Sequence, residues 1–430
     1  MEGLLTELNY YEPSVGQLSI IDEYTEDYPT TAALAHQAPL EFFVQGADGI
    51  YLDLNNSYLQ LEVKITMPDR TDLGGASPAG PVNGLLNSLF NTVELFLNNT
   101  LVNDTTTKYQ YKAYIENLIN FNKDIMETRM LCEGWLKDTT GQLQVTDPAG
   151  ANRGLQTRTV YYDGSRVVTL VGRPHLDLFH QDKLIPQNVD MKIRFVPNTS
   201  EYLLKTADPG AHAQVAYRLQ ILKAHMCVRH KKLAPSLIMG LEKALQTNNY
   251  VLNYKKVNTK LLTIAGGHQS LEHQNLYLGP IPDLVILGMV SDANANGGYL
   301  RNPFNFEHFG VEYVVLRANG ESYPRNGYRQ NFADRQYIKS YFSVLEALGY
   351  DTGLNCWNIT PSEWANGYTF FVFKLSPGPT GTLRAPTRTG SVSLEMRFAA
   401  PLANNINILL LSQTEGEVQF NKDKTAIVVA

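Results

Sequence analysis

The nine histidines and three cysteines of this 430-residue chain are its best candidates for metal binding or nucleophilic chemistry. Six of the histidines fall in pairs five apart: His175/His180, His225/His230 and His268/His273. That spacing puts two side chains on different faces of a strand and about 140° apart on a helix, so neither element offers such a pair to one ion. No HExxH-type motif supplies a third ligand. The expectation is no metal site, with the histidines hydrogen-bonded in the core or at the surface. Cys227 stands two residues from His225 on one face of an expected strand, where a thiol and an imidazole can touch. No orienting acid is near in sequence, and a lone cysteine packs as a small hydrophobe. There is no GxSxG elbow. The loop Pro68–Pro81, with GGASPAGP, lacks a GK[ST] phosphate signature and reads as surface turn chemistry. No catalytic, cofactor-binding or metal-ligating residue is assigned, and the expectation is a protein without enzymatic activity or cofactors.

Charge narrows the choice of partners. Net charge is −6, yet the first 63 residues hold eleven acids and no Lys or Arg, so the remainder is net basic. An arm that packages nucleic acid carries the opposite sign. The expectation is therefore no direct nucleic-acid binding. Residues 1–37 read as an acidic, Tyr-rich arm that is either floppy or orders only on a protein partner. The densest basic run, Arg229–Lys232 (RHKK), reads as a solvated turn rather than a contact to phosphate or an acidic partner. No run of ~18 apolar residues exists, so no membrane-spanning helix is expected. The N-terminal MEGLLTELNYYEP has no basic n-region and does not read as a signal peptide. Cys132, Cys227 and Cys356 are widely spaced and odd in number, which suggests no disulfide framework and a reducing compartment.

The elements that position these residues are short alternating strands. VELFLNN sets Val93, Leu95 and Leu97 against Glu94 and Asn98, with Phe96 the exception; a polar turn follows, then Tyr111, Tyr114, Ile115, Leu118 and Ile119 at helical spacing. The same order recurs about half a chain later. GVEYVVLRANGE alternates through Val311, Tyr313 and Val315, and Ile338, Tyr341, Phe342 and Leu345 repeat the helical spacing. YLQLEVKI, Val189 to Phe195 and Val392 to Phe398 alternate as cleanly. Pro235 opens and Asn248-Asn249 closes a connector helix over 236–250. One polar face per strand argues for antiparallel sheets. About eight strands with long crossing loops in each half suit a jelly roll better than an immunoglobulin domain. The expected architecture is all-β: two tandem eight-stranded jelly rolls with short helices in loops and in the connector. The arm would span 1–37, the first roll 38–235 and the second roll 236–430.

Several blocks carry a resemblance. They are YLDLNNSYLQLEVKI, PVNGLLNSLFNTVELFLNN with YKAYIENLIN, HLDLFHQDKLIPQNVDMKIRF, LAPSLIMGLEKALQ, NPFNFEHFG, and WANGYTFFVFKLSP with GSVSLEMRFAAPL. In this order, over roughly residues 38–425, they resemble the double jelly-roll major capsid proteins of Polinton/Maverick elements, adintoviruses and the adomavirus hexon, and more distantly adenovirus hexon and virophage capsid proteins. HLDLF, NPFNF and ANGYT are the specific ones. The resemblance implies a structural protein that forms a homotrimer of pseudo-hexagonal outline, and trimers that tile an icosahedral shell around double-stranded DNA. Its partners would be neighbouring capsomers and minor capsid or penton proteins, with no membrane insertion. Its location would be the virion capsid, after synthesis in the host cytoplasm and assembly in the nucleus. Lys137–Arg173 and the Pro/Gly loops would then form an outer tower or trimer contacts. The residues alone leave two other functions open on the same fold, a carbohydrate-binding lectin-like protein and a cupin-like metalloenzyme. The first calls for exposed aromatics and acids on one loop face. The second calls for clustered histidines and carboxylates, which the sequence does not show.

Overall fold

Alternation along the chain becomes alternation across sheets. The computed structural model describes residues 18–103, 108–210, 212–351, 357–376 and 388–429; Cys356, the first part of the arm and most of the Ser376–Gly390 loop lie outside them. The first half forms β1 (Ile20–Pro29), β2 (Leu40–Val44), β3 (Ile50–Thr66), β4 (Ala79–Pro81), β5 (Phe90–Leu97), β6 (Thr100–Leu101), β7 (Val168–Gly172), β8 (Met191–Pro197), β9 (Leu204–Thr206) and β10 (Arg218–Leu233). The second half forms β11 (Tyr250–Ile264), β12 (Ser270–Pro280), β13 (Leu284–Ser291), β14 (Val311–Ala318), β15 (Glu321–Arg329), β16 (Phe370–Lys374), β17 (Thr389–Phe398), β18 (Ile406–Phe420) and β19 (Ala426–Val429).

The sheets show the duplication directly. In the first half the orders are β1-β10-β3-β7 and β2-β8-β5-β6, with β4 and β9 paired separately. In the second half they are β11-β18-β13-β16 and β12-β17-β14-β15, with β19 added beside β18. With β4, β9 and β19 set aside, each half places its first, eighth, third and sixth strands in one sheet. Its second, seventh, fourth and fifth strands make the other. The pairings along these paths are antiparallel. Strands β5 and β14, which carry the sequence echo, are the third strand of corresponding sheets. Each is followed by one more strand and then by its helix, Tyr109–Asn120 or Ile338–Leu348.

Burial follows the pleat. On β3, Leu59, Leu61, Val63 and Ile65 are buried while Gln60, Glu62 and Lys64 are not. Each such side chain contributes about 1.5–3 kcal/mol relative to exposure. Phe96, the exception on β5, lies on the outer face beneath Lys192, whose ammonium stands 5.6 Å from the ring centroid. The connector helix is Pro235–Leu245, with Pro235 in its first turn where the missing N–H costs nothing. Its Glu242 accepts from Gln187 of the first half and pairs with Lys424 of the second, at 2.8 and 2.5 Å.

Three expectations from the sequence are not met. Residues 20–29, read as part of an arm, form β1 and pair with β10 of the same chain from Ile20 opposite Leu233 to Pro29 opposite His225. RHKK, read as a solvated turn, lies inside β10 and meets acids of its own chain. Arg229 pairs with Glu23 at 2.6 Å and Lys231 with Asp53 at 2.6 Å, while Tyr24 stacks on His230 at 5.1 Å between ring centroids. The acidic segment and the basic run are thus neighbouring strands of complementary charge in one sheet. The loop Pro68–Pro81 also ends differently from a surface turn, because Ala79–Pro81 is a buried strand.

Candidate functional site: the seam between the halves

The three most specific sequence blocks converge where the two halves meet. Helix Tyr109–Asn120, from the first half, turns Tyr111 and Tyr114 toward Phe304 and Phe306 of NPFNF. Tyr114 stacks on Phe304 at 4.2 Å and 7°, and Tyr111 meets both phenylalanines edge-on. All four rings are buried. The last carbonyls of a helix have no intrahelical partner. Here second-half side chains satisfy two of them: Trp357 Nε1 donates to Leu118 and Tyr350 Oη to Ile119, each at 2.8 Å.

ANGYT (365–369) joins the same seam. Gly367 has φ +112°, a backbone conformation that favours glycine, and a Cβ there would meet Leu143 Cδ1 at 2.7 Å. Tyr368 Oη donates to the Asp138 carbonyl at 3.3 Å. The Asp138 carboxylate is buried against Arg158 (2.7 Å) and accepts from Asn152 and from Asn302 of NPFNF. Arg158 also donates to the carbonyls of Pro81 and Leu136. Lys137 pairs with Glu363 at 2.8 Å. The start of Lys137–Arg173, a segment expected at an outer tower or trimer contact, is therefore packed between the halves over residues 137–144, while Val160, Tyr161 and Val167 further along are exposed. Its polar groups find their partners in the protein.

Lys205 is a buried amine in this seam. Its Nζ donates to the carbonyls of Tyr202 (2.8 Å) and, across the seam, Gly298 (3.0 Å). Burial pushes the amine down to about 7 from its ordinary 10.5, against a weaker upward pull from Asp138. Between those values the unfolded chain holds a proton that the folded chain has released, so stability rises with pH there. Chemical denaturation between about pH 7 and 9 should show that rise, and Lys205→Met should flatten it. An unchanged slope in the variant would contradict this.

HLDLF (175–179) supplies the seam's ionisable cluster. Asp177–His180 is a single 3₁₀ turn. It folds His180 back to His175, with ring centroids 5.5 Å apart. His175 Nδ1 bonds Glu116 Oε2 of the helix at 2.7 Å. Asp177 forms a buried ion pair with Lys112 and accepts from the Val257 N–H of β11 at 3.2 Å. Burial raises the Asp177 carboxyl, with Lys112 opposing. For Glu116, burial is overcome by Lys112 and then His175, which hold its carboxyl below the usual range. His180 keeps part of its surface exposed, yet its imidazole is pushed down to about 3, first by burial and then by His175. The spacing argument missed this cluster because a 3₁₀ turn obeys neither strand nor helix periodicity over five residues.

The other sequence candidates do not assemble. Cys227 is buried on β10, and burial followed by Asp27 pushes its thiol up to about 12, so it stays protonated at neutral pH. His230 packs against Tyr24 and Tyr28. His268 is exposed before β12, and His273 lies within that strand. Among the described residues, Glu116, His175 and His180 are the group placed to share an ion.

No protein-family profile matches the chain. An uncharacterized protein of Caenorhabditis elegans is 24% identical over 378 residues, covering 85% of this chain and 87% of that one. A chain of the Sputnik virophage superposes with TM-score 0.65 at 13% identity, covering 98% of this chain and 91% of its own. The PBCV-1 virus capsid gives TM-score 0.61 at 9% identity, with 98% and 99% covered. The mavirus major capsid protein gives 0.54 at 11%, with 99% and 95% covered. The fold is a double jelly roll. It is the fold of viral major capsid proteins. Within it, the seam is where one roll's loops lock onto the other, and the two sets of sheets are the repeated unit. Among the described residues, no helix of this double jelly roll is long and apolar enough to cross a membrane.

Proposed function

We propose that the chain is a major capsid, hexon-like protein. It divides into a first roll from β1 to β10 and a second from β11 to β19, joined by Pro235–Leu245. Three chains form a homotrimer whose six rolls give a pseudo-hexagonal outline, and trimers tile an icosahedral shell around double-stranded DNA. Neighbouring capsomers and minor capsid or penton proteins are its partners. The virion capsid is its location, with assembly in the host nucleus. The role is structural rather than catalytic.

The observation that carries this reading is the repeated strand order, found in a chain 98% of which is covered by the match to the Sputnik virophage chain and by that to the PBCV-1 capsid chain. Two equivalent rolls in tandem are what a three-chain ring needs to present six similar sides. Exposed Met239, Leu278 and Phe342 offer apolar surface for subunit contacts. The basic run of β10 is engaged by acids of its own chain, which supports a shell protein that leaves DNA to others. Sedimentation equilibrium of the purified chain should give three times the chain mass, stable to dilution, since obligate interfaces bury ~2,000–5,000 Å². A monomer at micromolar concentration would contradict it, and a monomer that binds sugars would favour a lectin-like role.

A further inference from the structure

We propose that Glu116, His175 and His180 form a site for a borderline divalent transition metal such as zinc. One ligand atom from each residue lies within 4.8 Å of the other two. Tetrahedral zinc with bonds of ~2.0–2.1 Å wants its ligand atoms closer, about 3.4 Å apart. Closing the difference takes a rotation of His180, the exposed member, and exchange of the 2.7 Å His175 Nδ1–Glu116 Oε2 hydrogen bond for contacts to the ion. Glu116 sits on helix Tyr109–Asn120, and the His175 backbone N–H donates to Tyr109 Oη at 2.7 Å. Two anchored ligands and one free to swing give both a template and a way in.

The ligand chemistry selects the metal. Two imidazoles and one carboxylate suit zinc and its neighbours rather than calcium or magnesium, which prefer oxygen ligands throughout. Three protein ligands leave a fourth position open. It would face the cleft of about 310 Å³ that Glu116, Asp177 and His180 line together with Lys255, Ile286 and Tyr350 of the second half. The charges nearby favour a cation. Glu116 faces His180 directly, and the nearby Lys112 is already paired with Asp177, while Arg173 and, beyond Glu133, Arg129 set the limit on that attraction. Bound metal would fix the 3₁₀ turn whose Asp177 already holds β11, and so brace the seam.

The test uses the untagged full-length chain, stripped with a chelator and titrated with zinc chloride in a calorimeter. Cobalt(II) absorption serves as a second readout. The expected result is one zinc per chain, a visible cobalt band, and a melting temperature that rises with zinc. His180→Ala, at an exposed position, should keep the wild-type circular dichroism and apo melting temperature. It should lose the cobalt band and the thermal shift, and weaken zinc binding by more than the ~10-fold typical of losing an outer-shell partner. Glu116→Gln should weaken binding likewise. No stoichiometric binding by the wild type, or equal affinity in His180→Ala (an adventitious surface ion only), would overturn the proposal.

Discussion

Phe304→Ala should destabilise the protein by about 3–5 kcal/mol, the usual range for deleting a buried phenyl ring. Phe304 is fully buried. Its ring is stacked on Tyr114, with Tyr111 at 5.7 Å and Tyr202 at 6.4 Å edge-on. Those three tyrosines belong to the first half and Phe304 to the second, so the cavity opens in the seam rather than within one roll. Neighbouring rings are held by their own helix and strand contacts, and collapse into the space would be limited. The denaturant midpoint should fall accordingly. The two halves should also lose cooperativity, so a single transition in the wild type would broaden or split. Lys123→Ala, at a side chain 67% exposed, is the comparison and should stay within about 0.5 kcal/mol. A wild-type midpoint for Phe304→Ala would show that the seam contributes little.

Asp138→Ala is expected to be about as severe, for a different reason. Arg158 is buried, and Asp138 is its only carboxylate partner among the described residues. Without it, the guanidinium keeps its carbonyl acceptors but loses its counter-ion. Breaking one side of a buried pair costs about 3–5 kcal/mol. Asn152 and Asn302 lose an acceptor at the same time. The double replacement Asp138→Leu with Arg158→Met removes both charges and should be milder than Asp138→Ala alone, because no uncompensated charge stays buried. Equilibrium denaturation of the single and double variants checks the order. A double variant less stable than Asp138→Ala would mean that the lost hydrogen bonds, not the orphaned charge, dominate.

The all-β duplication was legible because strand alternation and face burial are the same signal. Leu59 to Ile65 and Val392 to Phe398 could be assigned to a core face from spacing alone, and the echo of Val93 in Val311 marked equivalent strands. The first strand was not legible. IIDEYTEDYP has no apolar alternation, since an edge strand with a mostly exposed face needs none. A signal did exist in the opposite charges of DEYTED and RHKK, two runs in one chain that could neutralise each other. The seam was hidden for another reason. Tyr114–Phe304 and Asp138–Asn302 join residues from opposite halves, and nothing local distinguishes a ring that packs within its roll from one that packs across. The specificity of NPFNF, HLDLF and ANGYT was visible, but its physical cause, three loops meeting at one interface, was not. The His175/His180 cluster was lost to an argument built for strands and α-helices and applied to a 3₁₀ turn.

Two equivalent rolls per chain are expected to build one six-sided capsomer. Cryo-electron microscopy of the purified protein tests it most directly. The expected particles hold three chains and appear end-on as a pseudo-hexagon, with β5 and β14 in equivalent places around the axis. Single chains, or a closed assembly in which the two rolls occupy unrelated environments, would contradict it.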